Sequence, residues 1–215
     1  NKSYPMKCLL PLLLMGCFLP TLVAQPHYHD RFTFTAADTL RGALRPERTA
    51  YDVTFYELNI KLDIDQKYLA GYVDIHYQTL RKFNRLQIDL YENMQLERIE
   101  FKGKNLPFER IHNAVFINFP KQKKGSTGQF RVYYAGHPTV AKSAPWDGGF
   151  VFDQHNGKPW VGVACEGAGA SLWWPNKDHL SDEPDSMAIR VAVKNGLTVA
   201  SNGNLRSKQE LEDGY

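Results

Sequence analysis

Alternation of apolar and polar residues from Val53 to Ile64 is the feature that most constrains the fold of this chain. Successive side chains of a strand point to opposite faces of its sheet, so this pattern predicts a half-buried β-strand. Similar runs recur at short spacing between Gly, Asn, Pro and Lys clusters. They predict further strands over Tyr72–Tyr77, Leu86–Leu90, Leu96–Phe101, Ala114–Phe119, Gln129–Tyr134, Trp160–Cys165, Met187–Val193 and Thr198–Ser201.

The spacing of these runs predicts an all-β fold, an antiparallel sandwich or barrel. No stretch long enough for a domain-sized helix shows a 3.6-residue period, and no internal repeat is present. The chain has 215 residues, of which 43% are hydrophobic and 13% aromatic, and this is enough for a packed core. The formal net charge is only +3, so a nucleic-acid binder that acts through its charge is not indicated.

The first 24 residues are predicted to be a signal peptide with a few residues upstream of it. Met6 and Lys7 precede a nearly unbroken apolar run from Cys8 to Val23, and the polar sequence Gln-Pro-His follows Ala24. The run contains two prolines and is shorter than the ~20 residues that a membrane-spanning helix needs. We expect export with cleavage after Ala24. The alternative is lipidation at Cys17, since Leu-Met-Gly-Cys resembles a bacterial lipobox. The expected destination of the exported protein is the periplasm, the extracellular space or, as a lipoprotein, the outer membrane.

The remaining chain divides into a polar, turn-rich lead-in over residues 25–50 and a β domain over residues 51–215. The β domain is expected to be incomplete at its C-terminal end. Without the signal peptide, Cys165 is the one remaining cysteine, so an internal disulfide is excluded for this segment. We interpret Cys165 as a small buried apolar residue rather than a nucleophile, because no Cys/His arrangement accompanies it.

No complete metal site is visible in the sequence. None of the seven histidines forms the H-E-x-x-H spacing that places two zinc ligands on one helix face. His27, His29 and Asp30 have the chemistry of a chelator, but a polar segment near a new N-terminus is the favoured interpretation. The sequence Gly167-Ala168-Gly169 lacks the third glycine and the following helix of a dinucleotide-binding loop.

The stretch from Trp146 to Gly203 carries the specific signal. It contains, in order, Trp146-Asp-Gly-Gly-Phe-Val-Phe, Cys165-Glu-Gly-Ala-Gly-Ala-Ser, Trp173-Trp-Pro-Asn-Lys-Asp, Ser181-Asp-Glu-Pro-Asp-Ser-Met and Ser201-Asn-Gly. This ordered set resembles the latter half of the N-terminal domain of the aminopeptidase N family, which are gluzincin zinc metallopeptidases. The strands from about Tyr51 resemble the first half, and the Trp-Trp-Pro form with an extended connection from Lys177 to Ser181 resembles the bacterial subgroup.

The resemblance implies a saddle-shaped β domain that closes one wall of the substrate cavity of a zinc exopeptidase. The zinc and the general base belong to a catalytic domain that would follow in the same chain, so this fragment alone is expected to hold no zinc and to be inactive. One loop of the β domain binds the free α-amine of a peptide substrate through a Gln or Glu. Glu166 stands at that position, and Ala164 stands where relatives often carry a Gln that lines the first specificity pocket.

Several alternatives remain open from the sequence. Outside the family context, Glu166 is an ordinary solvated loop acid. Trp173, Trp174 and Pro175 would suit a ligand platform, although core or interdomain packing is favoured. The acids after them are more typical of turns and caps than of metal ligands, and they are Asp178, Asp182, Glu183 and Asp185. A secreted carbohydrate-binding β-sandwich and a non-catalytic scaffold domain are the alternative functions.

Overall fold

A computed structural model of the chain describes residues 33–215. The predicted signal peptide, the lipobox cysteine Cys17 and the segment from His27 to Asp30 lie outside the described residues. Residues Thr35–Tyr215 form one compact unit, which contains all of the helices and strands named below. No helix among the described residues is long and apolar enough to cross a membrane.

Eleven strands and two short helices make up the regular structure of the described residues. The helices are α1 (Ala36–Gly42) and α2 (Pro46–Thr49). The strands are β1 (Tyr51–Asp63), β2 (Tyr68–Thr79), β3 (Phe83–Asp89), β4 (Met94–Phe101), β5 (Lys104–Asn105), β6 (Phe108–Ile111), β7 (Ala114–Gln122), β8 (Thr127–Gly136), β9 (Gly149–His155), β10 (Lys158–Ala164) and β11 (Ser186–Ala192). A 3-10 turn spans Ala170–Leu172. The predicted all-β class is confirmed.

The strands form three sheets. The largest has six strands in the order β11-β1-β2-β8-β4-β5, the second has the order β3-β7-β6, and β9 and β10 form a separate hairpin. Neighbouring strands are antiparallel, as predicted, except that β11 runs parallel to β1 at the edge of the large sheet. The six-stranded and three-stranded sheets share one hydrophobic core, which includes Ile75, Phe130, Leu86 and Ile117.

An irregularity in β1 accounts for a change of phase in its sequence pattern. Tyr51 and Val53 are buried at odd positions, whereas the buried residues from Tyr56 to Leu62 lie at even positions. The pairing of β1 with β2 shifts register between Val53 and Phe55. One extra residue in a strand reverses which face the following side chains occupy, so both apolar sets reach the same core.

The segment before β1 is more than a surface lead-in. The side chain of Thr35 caps α1 and forms a reciprocal capping box with Asp38. Leu40 in α1 and Arg48 in α2 are both buried. The sequence did not predict this packing, because two helices of seven and four residues are too short to show a helical period.

The strand predicted over Thr198–Ser201 is wrong. These residues form no regular structure, and Val199 is 39% exposed. Val199 and Ala200 are two adjacent apolar residues and do not alternate with polar ones, and a strand also needs a neighbour with which to form a ladder of hydrogen bonds. No described strand pairs with this segment.

Candidate functional site

Glu166 lies in the tight turn that follows β10, at residues 165–169. Its side chain is exposed, and its carboxylate has no hydrogen bond or ion pair with another described residue. Ala164, the other predicted site residue, is the half-buried last residue of β10 and pairs with Gly149 of β9. The structure therefore places Glu166 and Ala164 together at one end of the β9–β10 hairpin.

Hydrogen bonds fix the backbone of this turn, although the Glu166 carboxylate itself has no partner in the described part of the chain. The Gly169 amide donates to the Cys165 carbonyl at 2.7 Å and closes the turn. The Tyr91 hydroxyl donates to the Ala168 carbonyl at 3.2 Å. The Arg41 guanidinium, at the end of α1, also donates to the Ala168 carbonyl and contacts the Gly167 carbonyl at 3.5 Å. Two other parts of the fold, through Arg41 and Tyr91, together with the hydrogen bond that closes the turn, thus hold the residues directly after Glu166.

Gly169 ends the turn in a conformation that favours glycine. Its φ is +82°, and a Cβ atom at this position would lie 2.1 Å from Oδ2 of Asp178. The same carboxylate oxygen accepts a hydrogen bond from the hydroxyl of Ser171. Asp178, which the sequence offered as either a metal ligand or a turn residue, therefore packs beneath the turn and stabilises it.

The buried ion pair between Arg48 and Asp89 holds the backbone of Asp178 by hydrogen bonds. One terminal nitrogen of Arg48 donates to both carboxylate oxygens of Asp89, at 2.7 and 2.8 Å. The other terminal nitrogen of Arg48 donates to the Asp178 carbonyl at 2.9 Å. Gln87 and the Asp178 amide also donate to the Asp89 carboxylate. Burial nevertheless raises the pKa of Asp89 to about 7, because desolvation outweighs the opposing effect of Arg48.

The tryptophan pair packs into the domain, as favoured from the sequence. Trp174 is 7% exposed and meets Tyr56 edge to face at 4.9 Å between ring centroids. Trp173 is partly buried and meets Phe150 in the same way at 5.8 Å. Both rings are engaged within the protein, so the pair does not form an exposed platform for a sugar ring.

Cys165 is half-buried rather than fully buried. Desolvation raises the pKa of its thiol, and a side-chain contact with Trp173 opposes that shift. A raised pKa keeps the thiol protonated and is the opposite of what a nucleophile requires. The interpretation of Cys165 as a packing residue fits this environment.

The described residues contain no group of three or more His, Cys, Asp or Glu side chains that would hold a metal ion. Asp182 forms a buried ion pair with Lys177 and accepts a hydrogen bond from the Val53 amide. Lys177 also donates to the Tyr51 carbonyl at 2.6 Å. Asp182 thus ties the segment after Trp174 to the start of β1, which is a structural role.

Apolar side chains are exposed beside the Glu166 turn. Val163 on β10 is 42% exposed, and its partner Phe150 forms an isolated bridge with Val140, which is 45% exposed. Trp146 is 85% exposed in the loop before β9. That loop packs on the turn, since a Cβ at Gly148 would lie 2.8 Å from the Cβ of Ala168.

Sequence reasoning missed Arg41 and Tyr91 as residues of this site. Arg41 lies 127 positions before Ala168, and no local pattern signals such a contact. Tyr91 follows the end of β3, and an aromatic residue there is ordinary in a β protein. Only the fold brings these two side chains to the turn.

Comparison with solved structures shows what this fold is similar to. An M1 zinc metallopeptidase from Deinococcus radiodurans matches 76% of this chain with 20% identity and a TM-score of 0.60. A mutant of an M1 zinc metallopeptidase from the same organism, bound to a Tyr-Ser-Ala substrate, matches the same share with 22% identity and a TM-score of 0.62. Native leukotriene A4 hydrolase from Saccharomyces cerevisiae matches 74% of this chain with 14% identity and a TM-score of 0.52.

These likenesses establish a fold shared with M1 zinc metallopeptidases over about three quarters of this chain. The matched region is 37% of each Deinococcus chain and 28% of the yeast chain. No protein-family model matches the sequence, and no curated protein matches it significantly.

Proposed function

We propose that this chain is the N-terminal substrate-cavity domain of an exported zinc aminopeptidase of the aminopeptidase N family, bacterial subgroup. In this proposal Glu166 binds the α-ammonium of a peptide substrate, and Ala164 contributes to the first specificity pocket. The observation that carries the proposal is the state of Glu166: an exposed carboxylate without a partner among residues 33–215, on a turn that its own hydrogen bond closes and that Arg41 and Tyr91 hold at the backbone.

The chemistry of that arrangement suits an exopeptidase. A carboxylate in a closed cavity forms a charge-assisted hydrogen bond with a free ammonium group. An internal peptide amide offers neither the charge nor the donors, so it leaves the carboxylate desolvated without a partner. A rigid turn limits the conformational freedom that Glu166 loses when it binds, and this strengthens binding.

The exposed apolar residues beside the turn provide the surface for a second domain. Val140, Val163 and Trp146 lie on the hairpin and loop that contact the Glu166 turn. Apolar side chains grouped on a surface mark a binding region more often than scattered ones do. We propose that this surface packs against the catalytic domain of the same chain, and that residues 1–24 direct export.

Zinc in this proposal belongs to that catalytic domain. The described residues present no ligand set for it, and the sequence lacks the H-E-x-x-H spacing. When bound there, zinc would polarise the scissile carbonyl and activate water. The residues of this chain contribute the binding and orientation of the substrate terminus.

The test of the proposal is turnover by the full-length gene product. We expect it to contain H-E-x-x-H and to release an amino acid from a chromogenic N-terminal amide in a reaction that a chelator stops. Purified residues 25–215 should show neither stoichiometric zinc nor turnover. A full-length product without the zinc motif and without turnover would instead support a non-catalytic scaffold, and chelator-sensitive turnover by residues 25–215 would overturn the assigned roles.

A further inference from the structure

Helix α1 reaches the candidate site through the side chain of Arg41. Arg41 lies in the last turn of α1 and is half-buried. Its terminal nitrogen donates to the Ala168 carbonyl and contacts the Gly167 carbonyl. These two carbonyls belong to the residues that follow Glu166 directly. Arg41 therefore contacts the turn at its backbone, through carbonyl oxygens and not through the Glu166 carboxylate.

Helix α2 reaches the other end of the same segment. The buried Arg48 guanidinium donates to the Asp178 carbonyl at 2.9 Å and to the Leu40 carbonyl of α1 at 3.3 Å. Asp178 in turn packs against Gly169 at the end of the turn. Residues 36–50 thus hold the stretch from Gly167 to Asp178 at both ends through two arginines.

We propose that this helical segment is a positioning element for substrate recognition, in which Arg41 is a positioning residue that sets the orientation of Glu166. The inference rests on the proposed function, since it assigns Arg41 a role only through the ammonium-binding carboxylate. Arg48 stabilises the segment, and Arg41 acts on the turn itself. A guanidinium is suited to this task because it is always charged and each terminal nitrogen carries two N–H donors, so one nitrogen of Arg41 contacts both adjacent carbonyls.

The first arm of the test measures the turn in this chain by amide hydrogen exchange. Arg41→Met removes the donors and keeps the aliphatic stem. We expect the Gly169 amide, which donates to the Cys165 carbonyl, to exchange about fivefold faster or more, with little change in Tm. Arg45→Met is the matched control, because Arg45 is exposed and its side chain has no partner among the described residues. Equal exchange in both variants would overturn the inference.

The second arm is a double-mutant cycle in the full-length peptidase. We expect Arg41→Met to lower kcat/KM for a free-amine substrate about fivefold to tenfold, mainly through KM, with unchanged zinc content. Arg41→Lys should recover part of the loss. If Arg41 acts through Glu166, Arg41→Met combined with Glu166→Ala should be no worse than Glu166→Ala alone, within about threefold.

The outcomes separate the inference from the proposed function. Two outcomes would overturn the positioning role alone. In the first, the losses of kcat/KM in the two single variants multiply in the double variant. In the second, Arg41→Met leaves KM unchanged while Glu166→Ala lowers kcat/KM. An unimpaired Glu166→Ala would overturn the proposed function and with it the role of Arg41.

Discussion

The Arg48 guanidinium and the Asp89 carboxylate form a fully buried ion pair, with side chains 0% and 2% exposed. The pair joins α2 to the end of β3, and Arg48 also bonds the segment that follows the Glu166 turn. Burial removes both charged groups from water, so each depends on the other to offset its cost of desolvation. The geometry of the candidate site thus depends on a contact between residues 41 positions apart.

Removing one member of this pair should destabilise the domain strongly. We expect Arg48→Met and Asp89→Asn each to lower the free energy of unfolding by about 3 to 5 kcal/mol, because the remaining group is buried without its partner. Denaturant unfolding measures this effect. The control is Asp213→Asn at the exposed pair with Lys61, where no measurable change is expected. Equal effects at the two pairs would contradict the account.

The same pair predicts a pH dependence with a definite sign. Burial already raises the pKa of Asp89 to about 7, and loss of Arg48 should raise it further. A carboxyl with a raised pKa binds its proton in the folded state and releases it in the unfolded state, so stability falls as pH rises between the two pKa values. Below about pH 6 the two proteins should lose stability at the same rate as pH rises, whereas above about pH 7 the wild type should level off and Arg48→Met should continue to lose stability. Parallel profiles above about pH 7 would contradict this prediction.

Substitution of two glycines of the Glu166 turn by alanine should change the stability of the domain to different extents. Gly169→Ala forces a Cβ into a left-handed backbone and against Asp178, so we expect a loss of at least about 1 kcal/mol. Gly167 is exposed, and a Cβ added there would meet no atom within 4 Å, so Gly167→Ala should have little effect. Thermal unfolding of the two variants checks this contrast, and equal Tm values would contradict the described turn.

Two buried tyrosines in edge-to-face contact, Tyr51 and Tyr77, should differ in how removal of the hydroxyl changes the free energy of unfolding. The Tyr77 hydroxyl is buried without a hydrogen-bond partner among the described residues, whereas the Tyr51 hydroxyl donates to the Gln87 carbonyl at 2.6 Å. We expect Tyr77→Phe to be neutral or to stabilise by up to about 1 kcal/mol, and Tyr51→Phe to destabilise by about 1 to 2 kcal/mol. Denaturant unfolding at neutral pH measures both effects, and a larger loss for Tyr77→Phe would contradict the account.

Much of the β architecture was predictable from sequence, since alternation reports burial directly. The predictions for β1 to β4, β7, β8, β10 and β11 fall on observed strands. Thr198–Ser201 shows the limit of reasoning from so short a run, because two apolar residues between polar ones say nothing about a strand's pairing partner. The sequence also missed β9, although its residues Phe150 and Phe152 belong to the Trp146 motif, because only their pairing with β10 identifies the strand.

The candidate site was predictable only in part. The order of motifs singled out Glu166 and Ala164, and the structure places them at one hairpin end. The residues that hold this turn were not predictable, because Arg41 and Arg48 resemble solvated arginines of a polar segment. Their partners lie far away in sequence, and only packing brings them together.

Substitution of Glu166 in the full-length protein tests the proposed aminopeptidase function most directly. If Glu166 binds the substrate ammonium as proposed, Glu166→Ala leaves that ammonium without its partner, and we expect kcat/KM for free-amine substrates to fall about 30-fold or more. Glu166→Gln keeps the size and an acceptor oxygen, so its loss should be smaller. Zinc content should not change, since Glu166 is not a ligand in this account.

The matched control is a peptide with a blocked N-terminus. It carries no ammonium, so it should be a poor substrate for the parent enzyme and no poorer for Glu166→Ala. The account predicts a large loss that is confined to free-amine substrates. A kcat/KM for those substrates within about threefold of the parent value, or an equal loss on the blocked peptide, would show that Glu166 does not recognise the substrate terminus.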